Sequence, residues 1–269
     1  MDKAADIIAG RADGMVAMPR LASLAEAVCG QGWSVICADA GQIVPAAKRL
    51  AGLFGLPALV LGDDPALADG TGGLDGSRVA VLADAIRRLG AEGGALPVVV
   101  LLPGPVAGAD AEGISESAKQ AFSDALEAIC EGRPALLLMD ESGADAAALG
   151  EMPARRIYNT LRNVAAYFDV TLGALMPSGA DAETATRLKL GAALFTGADA
   201  LPDADSLDEL AREGTVPGLL LDAGDTESWP FAAQRARAHG LLVSTRPGGV
   251  PTIDMMHNFM RAAKDARGM

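Results

Sequence analysis

The sequence predicts a single-domain α/β protein, a TIM barrel of the (β/α)8 class. From Trp33 onward, short apolar runs alternate with longer segments of helical spacing, which is the pattern of βα units. About eight such runs are present, and several are continuously apolar, as expected for parallel strands covered on both faces. No shift of composition marks a second domain, and 50% of the 269 residues are hydrophobic. We therefore expect a closed barrel over residues 21–269, preceded by an N-terminal arm at 1–20.

The predicted strands follow one another at intervals that leave room for a helix between most neighbours. The runs Val98–Leu102 and Leu136–Met139 contain no polar residue, which favours strands buried on both faces. In chain order, the predicted strands are Ser34–Ala38, Ala58–Leu61, Val98–Leu102, Leu136–Met139, Val170–Leu175, Ala192–Phe195, Gly218–Leu221 and Leu241–Ser244.

Helices are predicted by cap residues and by the spacing of apolar side chains. The segment from Ser115 to Cys130 begins with capping serines and repeats apolar residues every three or four positions. Pro153 has the place of a first-turn proline in another helix, which stops at Asp169. By contrast, the glycines and aspartates of Gly62–Gly76 predict an exposed, mobile loop. The last helix is predicted to turn five side chains inward: Met255, Met256, Phe259, Met260 and Ala263.

Composition and charge exclude several classes of partner. With 22 basic and 35 acidic side chains, the chain has a formal charge of −13 and would repel a phosphate backbone. It also has few aromatic residues on which bases could stack, so we expect no nucleic-acid partner. The longest apolar stretch is too short and too rich in proline for a membrane span, and the N-terminus lacks the features of an export signal. We therefore predict a cytoplasmic protein that binds no membrane and takes a small-molecule substrate.

The sequence contains no recognisable nucleotide-binding loop. No segment fits GxxxxGK[ST], and the glycines near Gly70 do not form GxGxxG between a strand and a helix. His239 and His257 are the only two histidines, which excludes a metal site built from several imidazoles. We interpret His239 as a charge at the C-terminus of a helix, and we predict no metal site.

Polar residues follow five of the predicted strands, at the edge where a TIM barrel places its active site. Neighbouring carboxylates raise the pKa of one of the pair, which suits general acid catalysis or the binding of a hydrogen-bond donor. For any single acid, capping of the next helix is the alternative role. The predicted site residues are Asp39, Asp140, Glu141, Ser178, Asp222 and Arg246.

Several segments, in their order along the chain, carry a resemblance to a known family. Ser34–Asp39, followed by Ala51–Gly55, is similar to a strand that ends in an aspartate before an "A…lG" helix. Val98–Ala107 is similar to an apolar strand with a GPxTLA turn, and Leu138–Ser142 to a strand that ends in DE. Val243–Pro251 is similar to a closing strand with its glycine turn. Together these segments resemble the uroporphyrinogen decarboxylase-like superfamily, which includes corrinoid-dependent and cobalamin-independent methyltransferases.

The resemblance implies a methyltransferase of one-carbon metabolism. It would move a methyl group between a corrinoid, carried by a partner protein, and a pterin such as tetrahydrofolate or another small acceptor. In this reading Arg246 binds a substrate carboxylate and Ser178 contacts the substrate. The thiol methyltransferases carry a zinc-binding HxCG where this chain has Met176–Gly179, so no zinc is expected. The residues that would hold the acceptor or protonate its ring nitrogen are Asp39, Asp140, Glu141 and Asp222.

Two alternatives to a methyltransferase stay open. Asp39 also corresponds to a catalytic position of the decarboxylases, which implies a tetrapyrrole decarboxylase or binder in which Asp39 pairs with pyrrole N–H groups. Few cationic side chains are predicted near the rim to hold the many carboxylates of such a substrate. The absence of the family's zinc and arginine residues also fits a non-catalytic partner subunit or a ligand-binding regulator. A homodimer is a further possibility.

Overall fold

The computed structural model describes residues 3–8, 14–92, 96–109, 113–196, 202–225, 228–236, 240–246 and 251–268. Within these residues, eight parallel strands alternate with helices. The strands are β1 (Gly14–Ala17), β2 (Leu59–Gly62), β3 (Val98–Pro103), β4 (Leu136–Asp140), β5 (Thr171–Leu175), β6 (Ala192–Thr196), β7 (Val216–Leu221) and β8 (Gly240–Thr245).

Helices lie before, between and after the strands, and two short 3₁₀ turns accompany them at Ala22–Leu24 and Pro65–Leu67. No helix of the described residues is both long and apolar enough to cross a membrane. The helices are α1 (Lys3–Ile8), α2 (Ala25–Cys29), α3 (Trp33–Ile36), α4 (Ala40–Phe54), α5 (Gly76–Ala91), α6 (Glu116–Cys130), α7 (Ala146–Gly150), α8 (Met152–Tyr167), α9 (Ala182–Leu188), α10 (Ala204–Arg212), α11 (Trp229–Ala236) and α12 (Ile253–Gly268).

The eight strands form one curled sheet in the order β1-β8-β7-β6-β5-β4-β3-β2. Every ladder is parallel; for example, Gly14 of β1 lies beside Gly240 of β8, and Leu59 of β2 lies beside Val98 of β3. This architecture confirms the predicted single-domain (β/α)8 class. In the described residues no ladder joins β1 to β2, so the predicted closure of the barrel by hydrogen bonds is not observed at this seam.

The alternation of side chains along each strand divides the core into two layers. One cluster contains Val99, Leu138 and Leu194, together with Ile7 and Ile8 of α1, and we assign it to the inside of the curl. The neighbours of these strand residues in sequence belong to a larger cluster that also holds the buried faces of the helices. Because both faces of the sheet are covered, its strands are continuously apolar.

The first strand lies earlier in the chain than the sequence indicated. The segment Ser34–Ala38, predicted as a strand, is a helical turn in which the amide of Cys37 donates to the carbonyl of Trp33 at 2.8 Å. Trp33 is buried, while Val35 is 58% exposed, so the run is buried on one face only. Four apolar residues do not by themselves distinguish a turn of helix from a strand. The true first strand is β1, which lies within residues 1–20 and pairs with β8.

The three helices with strong sequence signals are confirmed. At the start of α6, the hydroxyl of Ser115 accepts from the amide of Ala118 at 3.1 Å, and the predicted apolar face is buried. Pro153 lies in the first turn of α8, which ends at Tyr167. In α12 the side chains of Met256, Phe259 and Ala263 are buried as predicted, whereas Met255 and Met260, also predicted to face inward, are only partly buried.

Candidate active site

A cavity of about 420 Å³ opens beside the carboxyl ends of β2, β3 and β4, at the edge where TIM barrels carry their active sites. Its volume is within the range of sites for small organic ligands. Its wall is formed by Arg20, Asp63, Asp64, Pro65, Ala68, Leu101, Leu102, Pro103, Gly104, Ala107, Gly108, Asp140, Ser142 and Gly143.

Arg20 joins two carboxylates in this cavity. Its Nη1 donates to Oδ2 of Asp140 at 3.0 Å, and its Nη2 donates to Oδ1 of Asp63. The backbone amide of Arg20 donates to the hydroxyl of Thr245 at 2.9 Å. These bonds connect residues at or after the ends of β1, β2, β4 and β8. The guanidinium therefore links the two sides of the β1–β2 seam, which no ladder of the described residues closes.

Burial governs the protonation of Asp63. Withdrawal from water raises the pKa of its carboxyl, the charges of Asp140 and Asp64 raise it further, and the opposing effect of Arg20 does not cancel this rise. Burial by itself would lower the pKa of Arg20, but the two carboxylates raise it, so the guanidinium stays charged. A carboxyl with a raised pKa on a cavity wall is a candidate proton donor or acceptor.

Asp140 ends β4 and faces the same cavity. Its Oδ1 accepts from the amide of Ser142 at 3.1 Å and from the hydroxyl of that serine. This turn fixes the carboxylate, while Oδ2 receives the hydrogen bond from Arg20. The structure thus places Asp140, a predicted site residue, on the cavity wall beside two residues that the sequence analysis did not select.

Glu141 follows Asp140 in sequence but lies behind the cavity wall. Its side chain is fully buried; Oε1 accepts from the hydroxyl of Tyr158 at 2.8 Å and from the amide of Val106 at 3.1 Å, and Oε2 accepts from the amide of Ala107 at 2.7 Å. Burial raises the pKa of Glu141 to about 7, although these three donors favour the charged form. Glu141 is not among the lining residues, so the structure does not place this predicted catalytic residue in contact with a ligand in the cavity.

The segment Gly62–Gly76 is a loop, as predicted, and it is exposed at residues 68–71, but its start is buried and held by hydrogen bonds. The indole of Trp33 donates to the carbonyl of Gly62 at 2.7 Å. Asp64 is 3% exposed, and its Oδ1 accepts from the hydroxyl of Ser34 at 2.6 Å. These contacts anchor the start of the loop, which supplies Asp63 and Asp64 to the cavity wall.

Asp39 caps a helix. Its carboxylate accepts from the amide of Gly41 at 2.8 Å at the start of α4, and the residue is exposed and absent from the cavity lining. The expectation that Asp39 ends a strand is wrong because the preceding segment is a helical turn. The structure gives Asp39 the capping role that the sequence analysis had named as the alternative.

Asp222 and Arg246 meet each other but do not line the cavity. Nη1 of Arg246 lies 3.9 Å from Oδ2 of Asp222, whose side chain is 70% exposed, and Nε of Arg246 donates to the carbonyl of Leu220 at 3.3 Å. Ser178 is exposed after β5 and is also absent from the lining. These three residues follow strand ends, as expected, yet Asp140 is the only predicted site residue on the cavity wall within the described part of the chain.

Arg20 and Asp63 were not selected from the sequence, although both follow strands. Asp63 comes directly after the predicted strand Ala58–Leu61 and Gly62, so the rule that selected Asp140 applies to it as well. The glycines after it suggested a loop instead. Arg20 was missed because β1 has only four residues and was not recognised as a strand.

No arrangement suited to a metal ion is found in the described residues, which contain no group of three or more suitably placed His, Cys, Asp or Glu side chains. The ring of His257 packs on Phe54 with 4.9 Å between centroids. His239, predicted as a helix C-terminal charge, lies outside the described residues. The cluster of Arg20, Asp63 and Asp140 offers charged hydrogen-bonding groups to a ligand in the cavity.

Comparisons with known proteins reveal similarity of fold. No family model and no curated protein sequence matches the chain. Among solved structures, a methyltransferase from Methanosarcina mazei superposes with a TM-score of 0.70 at 12% identity, over 97% of this chain and 96% of that chain. A structure named as a phosphonomutase candidate from Burkholderia cenocepacia gives 0.51 at 15% identity, over 97% and 94%. A 2,3-dimethylmalate lyase of the PEP mutase/isocitrate lyase superfamily gives 0.50 at 11% identity, over 100% and 87%.

These comparisons correct the family prediction. The structural neighbours are mostly barrels named as mutases, lyases and related enzymes, and the resemblance to the uroporphyrinogen decarboxylase-like superfamily is wrong. The fold supplies a physical reason, since the segment that resembled a strand ending in Asp39 is helical. What remains is a TIM-barrel fold shared with one structure named a methyltransferase and with mutase and lyase barrels.

Proposed function

We propose that this protein is an enzyme that transfers a methyl group to or from a small molecule bound in the cavity. The observation that carries the proposal is the largely buried carboxyl of Asp63, with its raised pKa, held beside Arg20 and Asp140 on the cavity wall. Its position at the carboxyl ends of parallel strands is the usual location of TIM-barrel chemistry. The methyltransferase from Methanosarcina mazei, which has the same fold over nearly its full length, supports methyl transfer as the type of reaction.

Asp63 is suited to general acid catalysis. When a methyl group leaves a ring nitrogen, the electron pair of the broken bond stays on that nitrogen, which is then protonated. A carboxyl with a raised pKa holds its proton closer to neutral pH than an exposed aspartic acid does. Asp140, fixed by Ser142, accepts hydrogen bonds from the ligand, while Arg20 keeps the two carboxylates apart and oriented.

The hydrogen-bond acceptors and the size of the cavity fit a pterin ring better than a corrinoid. Carboxylate oxygens of Asp63 and Asp140 accept hydrogen bonds from ring and amino N–H groups, as a pterin presents. A corrin macrocycle is too large for about 420 Å³ and would stay on a partner protein at the rim. Such a corrinoid would supply the methyl group from its partner protein, and tetrahydrofolate would supply the ring nitrogen.

Binding and turnover of matched variants test this proposal. Tetrahydrofolate is titrated into the protein by calorimetry without oxygen, and methyl transfer between methylcobalamin and tetrahydrofolate is followed by the absorbance of the corrinoid. We expect saturable binding that weakens about tenfold or more in Asp63→Asn, since a hydrogen bond to a charged acceptor is lost. Asp39→Asn is the matched control and should bind as the wild type does.

Two results would overturn the proposal. The first is absence of saturable tetrahydrofolate binding together with absence of methyl transfer. The second is an equal loss of tetrahydrofolate affinity in Asp63→Asn and Asp39→Asn. The substitution is the same in both variants, but Asp39 lies outside the cavity lining, so its replacement should not affect binding.

A further inference from the structure

One wall of the cavity is a short loop whose backbone is held by a single buried side chain. This wall loop, residues 104–108, contributes Gly104, Ala107 and Gly108 to the cavity. The amide of Gly108 donates to the carbonyl of Gly104 at 3.1 Å, which closes the loop on itself. The two amides at its centre point the other way, into the protein, where both donate to the carboxylate of Glu141.

The loop and the Glu141 carboxylate are packed so closely that no side chain fits at Gly104. A Cβ added to Gly104 would lie 2.3 Å from Cδ of Glu141 and 2.7 Å from the carbonyl oxygen of Asp140. The amide of Gly104 also donates to that carbonyl at 3.0 Å. Glycine is therefore required here for a close approach. The wall loop thus contacts both the Glu141 carboxylate and the end of β4, where Asp140 binds Arg20.

We propose that Glu141 is a positioning residue that holds the wall loop of the active site through its carboxylate, and that uptake of a proton by this carboxylate releases the loop. As a carboxylate, Glu141 accepts three hydrogen bonds with two oxygens. As a carboxylic acid, it carries a proton on one oxygen, which accepts more weakly and must itself donate. Both backbone amides then lose a charged acceptor, and the amide that faces the protonated oxygen is held most weakly.

The surroundings of Glu141 place this change near neutral pH. Burial raises the pKa of Glu141 to about 7, and the neighbouring charge of Asp140 acts in the same direction. The amides of Val106 and Ala107 and the hydroxyl of Tyr158 on α8 oppose the rise. The pKa of Tyr158 lies well above its ordinary value because it is buried, so it remains a neutral donor throughout.

Hydrogen exchange of the two central amides tests the anchor directly, without any ligand. Protection factors of the Val106 and Ala107 amides are measured by nuclear magnetic resonance between pH 6 and pH 8, each corrected for the intrinsic exchange rate at that pH. We expect protection to fall about tenfold from pH 8 to pH 6, the difference between a charged and a neutral acceptor. The amides in the ladder between β3 and β4 should keep their protection factors and serve as the internal reference.

Two variants separate anchoring from general loss of structure. Glu141→Gln keeps the size of the side chain but offers one neutral oxygen acceptor and an NH₂ donor in place of a carboxylate, so neither central amide has a charged acceptor and both should show low protection that no longer varies with pH. Gly104→Ala places a methyl group against the Glu141 carboxylate and should lower the protection factors of the same two amides. Asp145→Asn, at an exposed helix cap, should leave the loop unchanged. Constant protection of Val106 and Ala107 across this pH range in the wild type would overturn the proposal.

The positioning role of Glu141 rests on the proposed function, and a measurement of tetrahydrofolate affinity tests both. Tetrahydrofolate affinity of the wild type should weaken between pH 8 and pH 6, whereas Glu141→Gln should bind weakly at both. If the wild type does not bind tetrahydrofolate, the proposed function fails while amide exchange still decides whether the anchor exists. If it binds with an affinity that Glu141→Gln leaves unchanged, the positioning role fails and the proposed function stands.

Discussion

Arg20 stabilises two carboxylates that would otherwise repel each other at the mouth of the barrel. Both terminal nitrogens of its guanidinium are bonded, one to Asp140 and the other to Asp63. Because the cluster contains one cation and two acids, it carries an excess of acceptor oxygens. Its ligand is therefore expected to offer hydrogen-bond donors, which agrees with the ring N–H groups of a pterin.

Replacement of Arg20 by Met removes the charge while keeping a long apolar side chain. We expect the free energy of unfolding to fall by about 2–4 kcal/mol at pH 8, because two largely buried carboxylates lose their cation. The pKa of Asp63 is already raised above its ordinary value and rises further without Arg20. The variant therefore recovers stability as the pH falls and Asp63 takes up a proton. Urea unfolding at pH 5 and pH 8 measures this, with Arg20→Lys as the charge-conserving control; equal losses at both pH values would contradict it.

Substitutions at Asp39 separate a helix cap from a catalytic acid. Asn caps helices as well as Asp does, so Asp39→Asn should change the free energy of unfolding by less than about 0.5 kcal/mol, whereas Asp39→Ala should cost about 1 kcal/mol. Neither should weaken tetrahydrofolate binding. Denaturant unfolding and calorimetry check the two statements separately. A large loss of ligand binding in Asp39→Asn with stability retained would return this residue to the active site.

At the scale of elements, the connection from β1 to β2 differs most from the sequence prediction. The apolar residues of Ser34–Ala38 are typical of a strand, but the segment forms a helical turn. Trp33 and Ser34 of this turn hold the loop after β2 by hydrogen bonds. The element that was expected to present a catalytic aspartate thus supports the loop that carries Asp63. Its contribution to the site is indirect, through the position of that loop.

A matched pair of truncations tests this assignment. Ile36 is buried and Val35 is 58% exposed, as a helical turn on the surface requires. We expect Ile36→Ala to lower the free energy of unfolding by about 2–4 kcal/mol, and Val35→Ala by less than about 0.5 kcal/mol. A strand covered on both faces would make both substitutions costly. Urea unfolding of the two variants under the same conditions distinguishes these cases.

At the scale of the whole molecule, Glu141 couples the stability of the barrel to pH. Its pKa of about 7 in the folded protein is above its ordinary value, so between these two values the folded state keeps a proton that the unfolded chain has released. Glu141 therefore stabilises the folded state fully at pH values below its ordinary pKa, and this stabilisation is lost as the pH rises through about 7. Global stability and local anchoring of the wall loop therefore respond to pH in opposite directions.

The difference in unfolding free energy between the wild type and Glu141→Gln should consequently shrink as the pH rises. We expect a decrease of about 1–3 kcal/mol from pH 5 to pH 8, because glutamine does not titrate. Urea unfolding at four pH values across this range gives the slope. A difference that is independent of pH would mean that Glu141 does not change its protonation on unfolding in this range.

The sequence by itself determined the class of fold, most of the strands and helices, and the position of Asp140 at a strand end that lines the site. These follow from local patterns, namely apolar runs, capping residues and a carboxylate directly after a buried strand, which need no knowledge of distant residues. The tertiary structure alone decided that Ser34–Ala38 is helical, that Glu141 turns away from the cavity, and that Arg20 meets Asp63 and Asp140. Arg20 is separated from these partners by 43 and 120 residues. Only the curl of the sheet brings such distant strand ends together, and no local pattern encodes that approach.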